Sequence, residues 1–558
     1  MAGTTPLARG EISARREHIF PTLTPAQVAR VAEHARRRPM QAGEVLVQEG
    51  SPVVPFFVVT AGRLDIIRIS DEGEMLIADH RPGQFTGEVS MLSGRRAMFR
   101  IVAGETGEVL ELDRGCLQQM VQTEADLGEI LLRAFILRRV ELVAHGMGDV
   151  VVLGSRHSPA TLRIQEFLTR NGHPYKYVDL DKDPDVQTLL DHFTVGPADV
   201  PVVICRGTFV LRHPTNQEIA DCLGFNEAID RAHVRDLVVI GAGPAGLAAA
   251  VYGASEGLGV LVVEANAPGG QAGSSSRIEN YLGFPTGISG QNLTNRAFTQ
   301  AQKFGAQVVI AQAVTHLTCD RKPYGIAIGA ERVPARAVVI ATGAEYRRLP
   351  LPSAAQFEGA GIYYGATFME AQLCAGEDVI VVGGGNSAGQ AAVFLSESVR
   401  TVQMLVRSGG LAATMSRYLI RRIEDNPKIK LRTRAEISAL AGGEHLERVT
   451  VQDRETGRED TQAIRHVFLM TGARPNTRWL DGCLALDANG FIKTGSDLSP
   501  DDLAAHRWPL SRPPHLLETS LPGVFAVGDV RAGNVKRVAS AVGEGSIAVS
   551  FVHQVLRE

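Results

Sequence analysis

Residues Asp236–Ala250 read DLVVIGAGPAGLAAA, and residues Asp378–Ala392 read DVIVVGGGNSAGQAA. Each stretch runs from an aliphatic segment, typical of a buried strand, through a glycine turn into small residues typical of a closely packed helix. The glycine spacing permits a tight turn and a close approach of the backbone to a pyrophosphate, whose charge the helix N-terminus attracts. Two such turns in one chain predict two dinucleotide-binding sites.

The residues that follow each turn distinguish the two predicted sites. Glu264 ends the aliphatic run after the first turn, where a carboxylate accepts hydrogen bonds from ribose hydroxyls, so this site suits FAD or NAD. Arg407 ends the corresponding run after the second turn, where a guanidinium suits the 2′-phosphate of NADPH. The predicted binding residues of the turns themselves are Gly241, Gly243, Pro244, Ala245 and Gly246, and then Gly383, Gly385, Asn386, Ser387 and Ala388.

Further motifs continue this pattern to the end of the chain. They are PGGQ at Pro268–Gln271, IENYLGFP at Ile278–Pro285, ATGA at Ala341–Ala344, TGARPNT at Thr471–Thr477, TSLPGVFAVGDV at Thr519–Val530 and GEGSIAV at Gly543–Val549. From about residue 234 onward the chain resembles the low-molecular-weight thioredoxin reductases. The resemblance implies a homodimer and an FAD-binding domain split into residues 234–348 and 479–558, with an NADPH-binding domain, residues 349–478, inserted between them.

The resemblance also implies further cofactor contacts. For FAD these positions are Gly270, Gln271, Asn280, Val314, Ala341, Gly343, Gly528, Asp529, Arg537, Val538 and Ala539. For NADPH the added position is Gly472. Val538 departs from the family pattern, which has a glutamine there.

The redox-active Cys-x-x-Cys of that family is missing. Gly365, Ala366, Thr367 and Phe368 occupy its position, and Met369 stands where the family has an aspartate. Dithiol–disulfide exchange requires an attacking thiolate and a resolving thiol, so we predict no catalytic side chain here. Cys374, a short distance further on, is expected to be a small buried side chain.

The overall composition is that of a multidomain globular protein. The 558 residues include 57 Lys and Arg against 61 Asp and Glu, and 44% are hydrophobic. This charge balance gives no basic footprint for nucleic acid, and the apolar runs are too short to predict a membrane span. Residues 1–16 lack the apolar core of a signal peptide. The six cysteines form no CxxC and no metal-binding spacing, so we expect no metal site and a reduced, cytoplasmic setting.

Residues 1–148 show short β runs of alternating polarity separated by glycine turns, a pattern typical of a small antiparallel barrel. FTGEVSMLSGRRA at Phe85–Ala97 resembles the phosphate-binding cassette of cyclic nucleotide-binding domains. The resemblance implies Gly87, Glu88 and Arg96 as contacts, with the carboxylate on the ribose 2′-hydroxyl and the guanidinium on the cyclic phosphate. Phe99 replaces a hydroxyl residue of that cassette, so a degenerate domain used for assembly or for another ligand is the alternative.

Residues 149–230 read as strand, helix, strand, hairpin and helix, an order that resembles a glutaredoxin-like thioredoxin fold. Val200-Pro201 matches the cis-proline turn of that fold. Ser158-Pro159-Ala160-Thr161 stands where its CPxC would be, and a hydroxyl of ordinary pKa is no thiolate. We therefore expect an adaptor or docking unit, with a non-catalytic pocket for a thiol ligand such as glutathione as the alternative.

The predicted fold class is a multidomain α/β protein with an N-terminal β-barrel, a thioredoxin-like α/β domain and two Rossmann-like domains. The favoured function is hydride transfer from NADPH to FAD, with electrons passed to an unidentified protein or small-molecule acceptor under the influence of the N-terminal domain. Two alternatives stay open. One is a thioredoxin-disulfide reductase that uses thiols elsewhere, and the other is a non-catalytic sensor of FAD, NADPH or a cyclic nucleotide.

Overall fold

The computed structural model describes residues 17–70, 73–88, 90–145, 148–155, 158–180, 196, 199–206, 209–275, 277–366, 368–443, 445–480 and 482–558. Thr367 of the redox position and residues 1–16, on which the signal-peptide prediction rests, lie outside these ranges. Within them the chain forms an antiparallel β unit, a small four-stranded unit and two units built on parallel sheets.

The N-terminal β unit is a five-stranded antiparallel sheet in the order β1-β5-β3-β4, with β2 paired to β5. Its strands are β1 Arg36–Met40, β2 Val45–Val47, β3 Phe56–Ser70, β4 Gly73–His80 and β5 Arg100–Leu112. Its helices are α1 Pro25–His34, α2 Ser90–Ser93, α3 Arg114–Thr123 and α4 Ala125–Ala144. Phe135 of α4 packs edge-on against Phe56 and Phe85, with ring centroids 6.1 and 6.2 Å apart, so α4 is anchored on the sheet.

The small unit follows with a mixed sheet in the order β7-β6-β8-β9, in which only β6 and β7 run parallel. Its elements are β6 Val150–Gly154, α5 Pro159–Arg170, β7 Lys176–Asp179, β8 Val202–Cys205, β9 Phe209–Arg212 and α6 Asn216–Leu223. The Val200–Pro201 peptide bond is cis. Helices α5 and α6 bury Ile164, Phe167 and Ile219 in one core with the sheet.

The two remaining units use the rest of the elements. The strands are β10 Arg235–Ile240, β11 Val260–Val263, β12 Gln307–Val309, β13 Val314–Thr318, β14 Tyr324–Ile328, β15 Glu331–Ile340, β16 Ala344–Tyr346, β17 Ile362–Tyr363, β18 Asp378–Val382, β19 Thr401–Val406, β20 Ile429–Thr433, β21 Ala435–Gly442, β22 Leu446–Asp453, β23 Glu459–Gln462, β24 His466–Leu469, β25 Ala473–Pro475 and β26 Val524–Ala526. The helices are α7 Pro244–Ser255, α8 Gly270–Gly273, α9 Gly290–Lys303, α10 Phe368–Leu373, α11 Asn386–Ser396, α12 Arg417–Glu424, α13 Pro500–Ala505 and α14 Val538–Val555.

The first of these units has a seven-stranded sheet in the order β12-β11-β10-β15-β14-β13, with β26 added to β15. Successive residues of a strand point to opposite faces. Leu237 and Val239 of β10 accordingly pack in one core with α7 and α14, whereas Val238 and Ile240 lie in the core of the other face. Because β26 and α14 come from the C-terminal end of the chain, this unit is assembled from two separated stretches.

The second unit lies between those stretches and has a five-stranded parallel sheet in the order β17-β24-β18-β19-β20. The antiparallel sheet β21-β22-β23 packs on one face, where Ile380 of β18 shares a core with Ile437 and Val449. The chain passes between the two units twice, and we call these two connecting segments the crossings. They run side by side, because β16 in the first pairs antiparallel with β25 in the second. The side chain of Asn476 donates to the carbonyl of Thr342 at 2.9 Å and holds these crossings together.

Candidate functional site

The first glycine turn connects β10 to α7, and two of its positions, Gly241 and Gly246, leave no room for a side chain. Gly241 has a φ of +104°, and a Cβ there would lie 2.4 Å from the carbonyl oxygen of Ala341. A Cβ on Gly246 would lie 1.9 Å from the carbonyl oxygen of Gly241. Pro244 begins α7, and Gly243 is its N-cap. The predicted binding residues thus form a strand-to-helix turn at the carboxyl end of β10.

Glu264 follows β11 and lies against this turn. Its carboxylate accepts hydrogen bonds from the N–H of Ala242 at 2.7 Å and from the N–H of Asn266 at 2.9 Å. Burial raises the pKa of the Glu264 carboxyl. Val314, predicted beside the same cofactor, begins β13 two residues after Gln312, whose N–H donates to the carbonyl of Glu264 at 3.0 Å.

The C-terminal stretch brings further predicted residues to the first turn. Gly528 lies against Ala245, because a Cβ on Gly528 would be 3.0 Å from the Ala245 Cβ. Asp529 follows in a short 3₁₀ turn, and burial raises the pKa of its carboxyl. Arg537 is the N-cap of α14, so Arg537, Val538 and Ala539 form the N-terminal end of a helix that packs on α7.

Sequence reasoning missed the residue that holds this stretch in place. Glu544 accepts a hydrogen bond from the N–H of Gly528 at 2.7 Å and pairs with Arg531 at 2.7 Å. The carboxylate therefore fixes the turn that carries Asp529. The one sequence feature that could have indicated this role is that Glu544 is the single acidic residue in the otherwise small and apolar GEGSIAV motif.

A third segment, around α8, closes on the same turn. Gly270 has a φ of +52°, and a Cβ there would lie 3.2 Å from the Cα of Gly243. Gln271 donates its side-chain amide to the carbonyl of Ala344. This bond joins α8 to the crossing that follows Ala341 and Gly343. Asn280 lies exposed in the loop beyond α8.

The second glycine turn, between β18 and α11, has a comparable backbone. Gly383 has a φ of +146°, and a Cβ there would lie 2.5 Å from the carbonyl oxygen of Met470. A Cβ on Gly385 would meet no atom within 4 Å, so the backbone at this position faces open space. Asn386, Ser387 and Ala388 form the first turn of α11.

The residues around the second turn are more exposed than those around the first. Arg407 follows β19 and is exposed, as are Arg417 and Arg421 of α12. Gly472 lies at the crossing between the two units, where its carbonyl accepts from the N–H of Arg347 at 3.0 Å.

Helix α12 also contacts the first unit. Arg422 donates to the Glu279 carboxylate at 2.9 Å, and the Tyr418 hydroxyl donates to the same carboxylate. Since Glu279 precedes Asn280, these bonds connect the unit of the second turn to the loop that carries a predicted flavin contact.

The position of the missing Cys-x-x-Cys lies beside α8. A Cβ on Gly365 would lie 3.9 Å from the side chain of Ser274, which donates to the carbonyl of Gln271 at 2.9 Å. Ala366 is buried in the core of the second unit. Gly365 therefore presents only backbone to the segment that the sequence predicts near the flavin, whereas the Ala366 methyl group packs in the core of the second unit.

The cysteines confirm one prediction and correct another. Cys374 is fully buried, as predicted, and burial raises the pKa of its thiol to about 12. Cys319 and Cys483, however, are joined by a disulfide, which corrects the expectation of a reduced setting for these two side chains. The two cysteines are 164 residues apart, so their pairing depends on the fold and leaves no sign in the local spacing.

The predicted nucleotide cassette of the N-terminal unit is partnered within the protein. Glu88 forms an ion pair with Arg139 of α4 at 2.6 Å, and Arg96 donates to the carbonyl of Gly50 at 3.3 Å. Gly87 has a φ of +100° and accepts a hydrogen bond from Arg138 at 2.7 Å. The carboxylate and the guanidinium assigned to a ligand thus both have protein partners.

The same cassette contacts the small unit. Arg95 is buried, lies 4.2 Å from the centroid of the Phe225 ring and donates to the carbonyl of Asn171 at 3.3 Å. Burial lowers the pKa of the Arg95 guanidinium to about 9. A Cβ on Gly224 would lie 2.6 Å from the Arg96 side chain. The cassette is therefore part of a junction between the first two units.

The segment in place of CPxC begins α5 and contacts the unit of the second turn. Ser158 is the N-cap of α5 and accepts from the N–H of Thr161 at 3.4 Å. A Cβ on Gly359 would lie 2.8 Å from the Cβ of Pro159. A cavity of about 300 Å³ lies at this contact, lined in part by Leu162 and Tyr363.

Two features of the described residues bear on the predictions about membranes and metals. In the part of the chain that the structure describes, no helix is both long and apolar enough to cross a membrane. The described residues also contain no group of three or more histidine, cysteine, aspartate or glutamate side chains arranged to hold a metal ion.

Comparison with known families finds two matches in this chain. The family model for pyridine nucleotide-disulphide oxidoreductases matches residues 235–545. The model for the cyclic nucleotide-binding domain matches residues 37–124.

Curated proteins and solved structures match the same C-terminal part. The thioredoxin reductase of Bacillus subtilis is 32% identical over 329 residues, which cover 58% of this chain and 96% of that protein. The NADPH-dependent thioredoxin reductase 3 of Arabidopsis thaliana is 30% identical over 367 residues, covering 63% of this chain and 65% of that protein. The structure of Lactococcus lactis thioredoxin reductase aligns with a TM-score of 0.52 at 26% identity, covering 58% of this chain and all of that one.

Proposed function

Because this chain belongs to the pyridine nucleotide-disulphide oxidoreductase family, we propose that it oxidises NADPH by means of a bound FAD and passes the electrons to an acceptor without a Cys-x-x-Cys of its own. Thioredoxin reductases of this family bind FAD and use NADPH. The observation that carries the proposal is the combination of two glycine turns suited to dinucleotides with a redox position that contains no sulfur.

The residues around the first turn fit a bound FAD. Gly243 leaves room at the N-terminus of α7, where an added Cβ would have its nearest neighbour 3.9 Å away, so a pyrophosphate can approach the backbone N–H groups. We infer that Glu264, whose carboxylate lies against Ala242, accepts hydrogen bonds from the ribose hydroxyls. We also infer that Asp529, which follows the Gly528 turn held by Glu544, contacts the ribityl chain. Both carboxyls have a pKa raised by burial, and hydrogen bonds from ligand hydroxyls would stabilise their charged forms.

The residues around the second turn fit NADPH. The open space in front of Gly385 admits a second pyrophosphate at the N-terminus of α11. The exposed Arg407 is available for the 2′-phosphate, and Arg417 or Arg421 of α12 supplies a second cation. When both cofactors are bound, they supply the hydride chemistry, and the protein supplies their alignment and the exclusion of water.

The acceptor is the part of the reaction that differs from thioredoxin reductases. Gly365 and Phe368 stand where that family carries its two cysteines, and neither side chain can take up electrons. We infer that electrons leave the flavin directly to a protein, a quinone-like molecule or another small acceptor. The chain itself contributes no general acid or base at the position of Met369.

The proposal is tested by NADPH oxidation assays with a quinone and with oxidised thioredoxin as the two acceptors. We expect quinone reduction and negligible thioredoxin reduction. A matched variant in which all six cysteines become serine or alanine should keep its quinone activity once flavin content is normalised. Loss of quinone reduction in that variant, with FAD retained, would show that a thiol carries the electrons.

For the N-terminal unit, we infer a regulatory role that acts through its junction with the small unit. The match of residues 37–124 to the cyclic nucleotide-binding domain favours a cyclic nucleotide as the signal. Binding of such a ligand would have to break the ion pair of Glu88 with Arg139 and the hydrogen bond from Arg96 to the carbonyl of Gly50. Regulation further requires that the ligand bind two states of the protein with different affinity.

Calorimetry of the full chain with millimolar cyclic AMP and cyclic GMP tests this role. Heat of binding that disappears in Arg96→Ala supports the ligand, and a change in NADPH turnover supports regulation. No heat with either nucleotide would reduce the N-terminal unit to a docking role.

The finer organisation of the chain is part of the same proposal. We infer that residues 149–230 form a glutaredoxin-like docking unit, which is supported by the sheet order β7-β6-β8-β9 and the contact of Pro159 with Gly359. We also infer a cytoplasmic homodimer from the resemblance to thioredoxin reductases. Sedimentation of the purified chain as a monomer at micromolar concentration would contradict the dimer.

A further inference from the structure

The small unit carries two cysteines that the missing CPxC does not explain. Cys205 ends β8 and is fully buried, whereas Cys222 lies near the end of α6 and is partly exposed. Both side chains belong to the core in which α6 packs on β8, and the two thiol groups interact with each other there. Neither cysteine belongs to the sequence position where a glutaredoxin-like fold would carry its active pair.

An arginine lies next to this pair of thiols. Arg206 follows Cys205 with a φ of +53°, and its guanidinium donates to the carbonyl oxygen of Cys222. Its own N–H donates to the carbonyl of Asp149 at 2.6 Å, which fixes the residue at the end of the strand. The fold thus places a positive charge beside the more exposed of the two sulfurs.

This arrangement gives the two thiols different acidities. The neighbouring Cys205 thiol, together with the Arg206 guanidinium, lowers the pKa of the Cys222 thiol to about 6, against the opposing effects of burial and of Asp149. The neighbouring Cys222 thiol and burial raise the pKa of the Cys205 thiol. A partly exposed thiolate next to a buried thiol is the division of roles that thiol–disulfide exchange requires, with one sulfur as the attacking group and the other as the resolving group.

We propose that Cys205 and Cys222 form a thiol–disulfide exchange site in the small unit, with a small-molecule disulfide as its substrate. The Cys222 thiolate attacks one sulfur of the disulfide R–S–S–R, so a Cys222–S–S–R bond forms and R–S⁻ leaves. Cys205 then loses its proton and attacks the Cys222 sulfur, which forms the Cys205–Cys222 disulfide and releases the second R–S⁻. The protein loses two electrons and two protons, and R–S–S–R becomes two R–SH.

The site is independent of the proposed flavin chemistry. The exchange requires neither NADPH nor FAD, and the pair is separate from Cys374 and from the Cys319–Cys483 disulfide. A failure of this inference would therefore leave the proposed NADPH oxidation untouched, and the reverse also holds.

The test uses the reduced full-length protein with FAD bound and oxidised glutathione as the disulfide. We expect mass spectrometry of the digested protein to find a Cys205–Cys222 disulfide in the wild type. In Cys205→Ser the resolving thiol is missing, so a stable glutathione adduct should accumulate on Cys222. Cys116→Ser is the matched control, because Cys116 is also partly exposed but burial raises the pKa of its thiol, and this variant should behave as the wild type.

A second measurement needs no variant. The alkylation rate of Cys222 by iodoacetamide, followed by peptide mass spectrometry across pH, should rise with a midpoint near pH 6. At pH 7 we expect Cys222 to react about tenfold faster than Cys116, because a larger thiolate fraction outweighs its lower intrinsic nucleophilicity. Equal rates at the two cysteines, or no glutathione adduct on Cys222 in a folded Cys205→Ser protein, would overturn the proposal.

Discussion

The two glycine turns share one backbone plan but lie in different surroundings. At the first turn, Glu264 already accepts from the N–H of Ala242, and Glu544 fixes Gly528 against Ala245. At the second turn, Gly385 faces open space and Arg407 is exposed. The same motif is thus combined once with a closed, preorganised environment and once with an open one.

The difference matches the two cofactors that the family uses. A flavin that stays bound through many turnovers requires a site assembled from several segments, and the first turn is enclosed by residues from both ends of its split unit. A nicotinamide cofactor must enter and leave in each turnover, so an open site costs less reorganisation. Substitutions at equivalent positions of the two turns should therefore have unequal effects.

The largest effect is expected at Gly246. Alanine there would bring a Cβ to 1.9 Å from the carbonyl oxygen of Gly241, and overpacking of a closed core costs about 1–3 kcal/mol or more. We expect Gly246→Ala to yield little soluble yellow protein and a much lower Tm. A soluble flavoprotein with an unchanged melting curve by circular dichroism would contradict the closed geometry of the first turn.

Gly243→Ala should separate flavin binding from folding. The φ of Gly243 is −72°, which alanine adopts freely, and the nearest atom to an added Cβ is 3.9 Å away. We therefore expect a folded protein with a normal circular dichroism spectrum that loses FAD, because the methyl group fills the space for the pyrophosphate. Flavin content after reconstitution with excess FAD is the measurement, and full retention of flavin would place the pyrophosphate elsewhere.

Gly385→Ala is the equivalent change at the second turn. Its φ is −95° and an added Cβ meets no atom within 4 Å, so the fold and the flavin content should not change. We expect the Kd for NADP⁺ to rise about tenfold or more, which corresponds to about 1.4 kcal/mol. An unchanged Kd by fluorescence titration would show that the second turn does not carry this cofactor.

The smallest effect is expected at Arg407. One exposed arginine–phosphate contact supports about a tenfold preference for NADPH over NADH, and Arg407→Ala should remove most of it. Arg400→Ala is the matched control, because Arg400 is an exposed arginine at the other end of β19 whose charge is paired with Asp378. The ratio of kcat/KM for the two cofactors is the measurement. Equal NADPH-to-NADH ratios of kcat/KM in the two variants would show that Arg407 does not bind the 2′-phosphate.

The sequence predicts the two turns well because their information is local. Each turn is specified by glycines a few residues apart, and Glu264 follows at the end of the next strand, where the βαβ geometry returns it to Gly241. The placement of Gly528 and Asp529 beside the first turn could be predicted only through the family resemblance. The strand β26 that brings them there pairs with β15, which is far away in the sequence.

What the sequence does not predict depends on contacts between distant segments. The ion pair of Glu88 with Arg139 joins residues of different elements, and the cassette motif contains no sign of it. The same holds for the Cys319–Cys483 disulfide and for the contact of Cys205 with Cys222, which lie on different elements that only the fold brings together. Glu544 lies in a recognised sequence motif. That it holds the Gly528 turn, however, could be seen only once the fold placed Gly528 beside it.

Anaerobic mixing of the purified protein with NADPH shows whether this nucleotide reduces the bound flavin although the Cys-x-x-Cys is absent. We expect the oxidised flavin band at about 450 nm to disappear within the time of turnover, and to do so equally in the variant without cysteines. A yellow, FAD-loaded protein whose band stays unchanged in excess NADPH would contradict the account and leave a non-catalytic sensor as the alternative.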